Sequence, residues 1–130
     1  AVAVAVEACA DDTKGQEANN YADQLVNLQR FEETKSLLRR TMPVARRVLG
    51  EGYQLTLKIR WVYAEALYED PAATLDDSRE AVTTLEEVER IARRVFGSAH
   101  PLTKGIESEL PPARAALHAR ETPSPPPASA

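Results

Sequence analysis

Apolar residues recur at steps of three and four along most of the chain, which is the spacing of a helix with one buried face. A first helix is predicted from about Asp12 to Leu28. A second is predicted from Glu32 to Leu49, and Gly50 ends it because glycine adopts a left-handed conformation without strain. Pro43 lies inside this second helix and removes one backbone hydrogen bond, so a kink is expected near residues 39–43.

The same spacing predicts a third and a fourth helix. The third runs from Gln54 to Glu69 and is closed by Asp70-Pro71. The fourth is capped by Asp76 or Asp77, whose short carboxylates suit a helix N-terminus, and it continues to a stop at Gly97.

A fifth helical segment closes the pattern. It begins near His100-Pro101, is broken or kinked at Pro111-Pro112, and resumes from Ala113 to Ala119. Only residues 1–6 alternate in the manner of a strand. The expected fold class is therefore all-α.

The helices also repeat. Residues 21–25 reappear in altered form as residues 63–67, a shift of 42 positions, and residues 45–50 reappear as residues 92–97, a shift of 47. The extra positions fall in the loop at residues 70–74, where an insertion costs little. The repeating unit is one pair of antiparallel helices, and neighbouring pairs are expected to stack and cover each other's apolar faces.

At this level of detail the chain resembles the tetratricopeptide repeat (TPR), in the longer form of about 42 residues found in kinesin light chains. The match covers about residues 13–110. It is carried by Asn19-Asn20-Tyr21-Ala22, Arg30-Phe31-Glu32-Glu33, Leu37-Leu38, Val48-Leu49-Gly50 and Gly97-Ser98-Ala99-His100-Pro101-Leu102-Thr103.

The resemblance implies a TPR-like α-solenoid of about two and a half repeats at residues 12–120. Residues 1–11 are then an extension or the end of a preceding segment, and the Pro/Ser-rich residues 121–130 are expected to be a flexible tail. The family pattern places small residues between paired helices and leucines in the core, here Ala22, Ala64, Leu25, Leu67, Leu38, Leu85 and Ala81. Departures from the pattern suggest a strained repeat, and they are Gln29, Thr34, Thr41 and Pro43.

In this family the first helix of each pair lines a concave groove that holds a peptide or a helix of another protein. Carried over by position, the groove residues are Gln16, Asn19, Asp23 and Asn27 from the first pair, and Lys58, Trp61, Glu65 and Tyr68 from the second. The carboxamide of Asn19 could pair with a peptide backbone, although a solvated helix residue explains it equally well. Trp61 is either an aromatic anchor for a ligand or, as we favour, a side chain packed on a neighbouring helix.

Composition and charge narrow the function classes. The chain has 130 residues and a formal net charge of −4, so we expect one small domain and no nucleic-acid partner. The paired arginines at 39–40, 46–47 and 93–94 fall on second helices, where solvation explains them best. No apolar run approaches the length of a membrane span, so direct membrane insertion is not expected.

The single Cys9 favours a reducing, intracellular and cytoplasmic location. Import into an organelle, with removal of a leader ending near Ala8-Cys9-Ala10, is the alternative. His100 and His118 have no cysteine, serine or carboxylate at a catalytic or zinc-binding spacing, and no glycine-rich phosphate loop is present. No enzyme activity, metal or other cofactor is expected.

The sequence therefore predicts a non-catalytic protein–protein interaction module, a scaffold of helical repeats that binds a peptide or helix. The alternative is a structural subunit packed permanently in a larger multiprotein complex. Nucleic-acid binding through the arginines is a third and weaker hypothesis.

Overall fold

The computed structural model describes residue 24 and residues 26–121, and every regular element in this part of the chain is helical. A short helical stretch ends at residue 27, and four helices follow: α1 (Phe31–Val48), α2 (Gln54–Glu69), α3 (Leu75–Phe96) and α4 (Pro101–Glu121). Each helix packs against the next, and α2 also contacts α4. The predicted all-α class of packed helix pairs is confirmed.

Helix α1 begins after a turn in a left-handed conformation. Gln29 has a φ of 58°, at the position where the repeat pattern prefers glycine. Glu32 and Glu33 lie in the first turn, where negative charge suits the positive end of the helix dipole. The helix continues through Pro43, and Gly50, with a φ of 99°, donates its N–H to the Ala45 carbonyl at 3.2 Å. The predicted stop at Gly50 is confirmed.

Helix α2 occupies the centre of the described structure. It is covered by α1, α3 and α4, and most of its residues are buried, including polar Thr56 and Arg60. Its predicted bounds are confirmed. Five of the core residues implied by the repeat pattern are fully buried: Leu38, Ala64, Leu67, Ala81 and Leu85.

The cap of α3 differs from the prediction. Thr74, not Asp76 or Asp77, is the N-cap residue: its hydroxyl accepts the Asp77 N–H at 3.1 Å, and the Asp77 carboxylate accepts the Thr74 N–H at 3.0 Å. This reciprocal pair is a capping box, which requires an acceptor at the cap and another three residues later. The predicted stop at Gly97 is confirmed by its φ of 93°.

Helix α4 continues through Pro111-Pro112, so of the two predicted outcomes, a break or a kink, the break is wrong. Tertiary packing explains the continuity, because Leu110 and Ala113 on either side of the prolines are buried. Contacts with α2 and α3 thus offset the backbone hydrogen bonds that the prolines cannot make.

Two departures from the repeat pattern have a local explanation. Thr34 and Thr41 are fully buried where the pattern prefers alanine. Their hydroxyls donate to the carbonyls of Arg30 at 2.9 Å and Leu37 at 2.8 Å. Threonine therefore fits these sites without an unsatisfied polar group.

Charged residues also enter the interior. Lys35 is 5% exposed and Asp70 is 7% exposed, and their ion pair of 3.1 Å joins α1 to the α2–α3 turn. Arg60 is buried to the same degree and lies 3.2 Å from Glu87 and 3.6 Å from Glu51. Because an isolated buried charge is costly, these pairs constrain how the helices pack.

Candidate functional site

The predicted groove residues of the second repeat lie along one face of α2. Lys58, Trp61, Glu65 and Tyr68 follow at helical steps of three and four. Side-chain contacts between this face and α4 are made by Trp61 and Tyr68. Part of this face of α2 therefore packs against α4, and α4 forms the second wall of the candidate groove.

Trp61 packs directly on the backbone of α4. A Cβ atom at Gly105 would lie 2.6 Å from Cη2 of the indole ring, closer than real Cβ atoms approach a neighbour, and 3.2 Å from Cζ3. Gly105 is thus required for the close approach of the two helices. Of the two interpretations of Trp61, the structure shows the packing on a neighbouring helix, and the half-buried ring keeps some exposed surface.

The indole nitrogen of Trp61 is the least satisfied part of this contact. Nε1 is buried and has no hydrogen-bond partner among residues 26–121. A buried donor without a partner costs free energy. The ring is therefore held by its shape and apolar area rather than by a polar contact.

Tyr68 makes the second contact between the two walls. Its side chain is buried, and its hydroxyl donates a hydrogen bond to the Glu109 carboxylate. Burial raises the pKa of Tyr68 well above its usual value, and the hydrogen bond to Glu109 and the charges of Glu69 and Glu65 raise it further. The phenol therefore keeps its proton and donates the hydrogen bond that connects α2 to α4.

Three carboxylates meet beside this hydrogen bond. One oxygen each from Glu65, Glu69 and Glu109 lies within 4.8 Å of the others, with Glu69 exposed and the other two half-buried. We call this group the acidic patch. Carboxylate oxygens are ligands for hard cations such as Ca²⁺ and Mg²⁺, but exposed acidic groups often meet without an ion. What the geometry does establish is a concentration of negative charge on the α2–α4 face.

The first-repeat half of the predicted groove is largely beyond description. Gln16, Asn19 and Asp23 lie outside the described residues, and Asn27 is exposed just before α1. The four predicted residues of α2 therefore lie along one face of that helix, and the structure adds Gly105 beside Trp61 and Glu69 and Glu109 beside Glu65. A glycine inside a helical pattern was a usable signal for close approach at Gly105, whereas nothing in the sequence pairs Tyr68 with Glu109, 41 positions away.

The arginines of the second helices are held by neighbouring groups. Arg39 donates to the Tyr63 hydroxyl at 3.2 Å, Arg46 pairs with Glu51, and Arg93 pairs with Glu89 and Glu107. Three of the arginines that could bind a phosphate are therefore already paired with groups of the protein itself.

The histidine near the start of α4 has a structural position. His100 accepts the Leu102 N–H on Nδ1 at 3.1 Å, and its ring lies 4.7 Å from that of Phe96. It thereby satisfies an N–H at the start of α4 that has no partner within the helix.

In comparisons with known proteins, no family model matches the chain, and no match was found among curated proteins or solved structures. The TPR resemblance remains a prediction from the sequence motifs. Within residues 26–121, no helix has both the length and the apolar composition that crossing a bilayer requires.

Proposed function

We propose that the chain is a non-catalytic interaction module of the TPR type, which binds a peptide or helix of a partner protein on the α2–α4 face. The observation that supports this most is the direct contact of α2 with α4 through Trp61–Gly105 and Tyr68–Glu109. In a stack of helix pairs, alternate helices line one surface, and ligands of such repeats lie on that surface. The repeat resemblance assigns α2 and α4 to that role.

The charge of this face indicates the chemistry of its ligand. The acidic patch contributes three carboxylates, while Lys58 lies near the other end of α2. Opposite charges steer partners and fix their register more than they add affinity. The preferred peptide therefore carries Lys or Arg opposite the acidic patch, with an acidic group opposite Lys58.

A random-sequence peptide library displayed on phage provides a direct test. The wild-type chain should enrich peptides that contain basic residues. Glu65→Lys should lower the affinity for these peptides at least tenfold, as measured by fluorescence anisotropy. Glu33→Lys is the matched control, because it is the same charge reversal at an exposed site on α1, which makes no contact with α4. Circular dichroism confirms that each variant is folded before binding is compared.

Three results would count against the proposal. If no peptide is enriched although the chain is folded, the interaction module is wrong. Equal weakening by Glu65→Lys and Glu33→Lys would show that binding follows net charge and not the α2–α4 face. A chain that unfolds or aggregates on its own would instead favour the structural subunit, because such a subunit depends on its neighbours for burial of apolar surface.

A further inference from the structure

Helix α4 is held by two different sets of contacts, one on each side of Pro111-Pro112. Before the prolines, Gly105 packs under Trp61, and Glu109 accepts the Tyr68 hydrogen bond. After them, Arg114 pairs with Glu86 in the middle of α3, and Arg120 donates to the α2–α3 turn. We call residues 113–121 the strap.

The prolines weaken the covalent helix between these two sets. Neither Pro111 nor Pro112 has an N–H, so the carbonyls of Glu107 and Ser108 receive no helical hydrogen bond from them. A proline ring also crowds the carbonyl four residues earlier. The backbone ladder that would couple the two halves of α4 is thus interrupted at two successive positions.

The strap is too short to be helical by itself. It has nine residues by its bounds, and isolated helices below roughly 12 residues are marginal in water. Its helical state therefore depends on tertiary contacts. Ala113 is fully buried, whereas Ala116 and Leu117 are half-buried against the core.

Arg120 supplies the most specific contact of the strap. Its guanidinium donates from Nη2 to the Asp70 carbonyl at 3.1 Å and from Nε to the Ala73 carbonyl at 3.1 Å. Both acceptors belong to the α2–α3 turn, where Asp70 is already fixed by its ion pair with Lys35. Arg114 makes a second contact, a 3.1 Å pair with Glu86, but both of these side chains are about half exposed.

We propose that the strap is a separately opening unit, hinged at Pro111-Pro112 and latched by Arg120 onto the α2–α3 turn. Opening releases residues 113–121 and uncovers the α2–α3 turn, while α1, α2, α3 and the first half of α4 stay folded. Local opening of this kind is expected where few apolar contacts and an interrupted hydrogen-bond ladder coincide.

Native-state hydrogen exchange of the full chain, followed by mass spectrometry, tests the proposal. In the wild type, peptides from residues 113–121 should exchange at least tenfold faster than those from residues 102–110. Arg120→Gln should accelerate exchange about tenfold further in the strap alone. Arg114→Ala is the matched control, since it removes an exposed arginine from the same segment and should change strap exchange less than threefold.

A second variant keeps the test independent of Arg120. Replacing both prolines by alanine restores two backbone donors, so the strap should exchange at the rate of residues 102–110. The proposal is overturned if the strap and the first half of α4 exchange together in the wild type. It is also overturned if Arg120→Gln accelerates all helices equally, or if the double proline variant leaves strap exchange unchanged.

Discussion

Gln29 shows how a single backbone angle carries information about the repeat. Its φ of 58° lies in the left-handed region, which costs a residue with a side chain roughly 1 kcal/mol compared with glycine. The repeat pattern has glycine at this turn, and the structure retains the conformation although the glycine is absent. The left-handed conformation at this turn therefore does not require glycine.

Gln29→Gly is expected to increase the free energy of unfolding by about 1 kcal/mol, because glycine adopts this conformation without steric strain. Urea denaturation followed by circular dichroism measures the change. Gln29→Ala is the control and should change stability by less than about 0.5 kcal/mol, since alanine bears the same strain. If alanine and glycine stabilise equally, backbone strain at residue 29 is not the cause.

The close contact between Gly105 and Trp61 can also be tested by substitution. Gly105→Ala should lower the free energy of unfolding by about 1–3 kcal/mol, because its Cβ would overlap the indole ring and force a shift of α4. In a Trp61→Phe background the smaller ring leaves room, so the same substitution should cost at least about 1 kcal/mol less. A double-mutant cycle in urea measures this coupling, and a coupling near zero would contradict the packing described for Trp61.

Elements are connected by charge as well as by apolar packing. Asp70 closes α2, and its carboxylate binds Lys35 of α1 at 3.1 Å and accepts the Ala72 N–H at 2.9 Å. Burial alone would raise the pKa of Asp70, but the Ala72 hydrogen bond, the Lys35 ammonium and the nearby charge of Arg120 together hold the pKa of Asp70 below its usual value. Glu32 also pairs with Lys35, from a largely exposed position.

A lowered pKa in the folded state gives a defined direction of pH dependence. In the unfolded chain the carboxyl of Asp70 titrates at about pH 3.9, so its stabilising contribution is complete above that pH and is lost as the pH falls through the lower folded pKa. Asp70→Asn should cost about 3 kcal/mol at pH 6, where it leaves Lys35 without its buried partner. The difference between wild type and variant should shrink as the pH is lowered toward about 3.

Urea denaturation at several pH values checks this expectation. Asp76→Asn is the control, because the Asp76 side chain is 94% exposed and its effect on the free energy of unfolding should be small. A gap between wild type and Asp70→Asn that stays constant down to about pH 3 would show that the ion pair does not stabilise the fold.

How much of the structure could be predicted from the sequence also differs from one helix to another. The bounds of α2 and the stops at Gly50 and Gly97 followed from local patterns, because glycine and apolar spacing act within one turn. The continuity of α4 did not, since burial on both sides of its prolines is a tertiary effect. The Thr74 cap was missed because Asp76 and Asp77 compete for the same role in the sequence, and only the backbone position decides between them.

For the molecule as a whole, the sequence predicted helix pairs and one face of α2, whereas the opposing wall came from the structure. Lys58, Trp61, Glu65 and Tyr68 share a face by helical period alone. Glu109 joins them only because α4 lies across that face, and a contact between residues 41 positions apart leaves no periodic signal. The acidic patch could therefore not be predicted before the packing of α4 was known.

Binding of a partner peptide on the α2–α4 face can be mapped residue by residue. Backbone ¹H–¹⁵N chemical shifts of the labelled chain are recorded during titration with a peptide selected from the phage library. We expect the shift changes to concentrate around Lys58, Glu65, Glu69 and Glu109, with the exposed face of α1 around Arg40 unaffected. Changes confined to the exposed faces of α1 and α3 would contradict it.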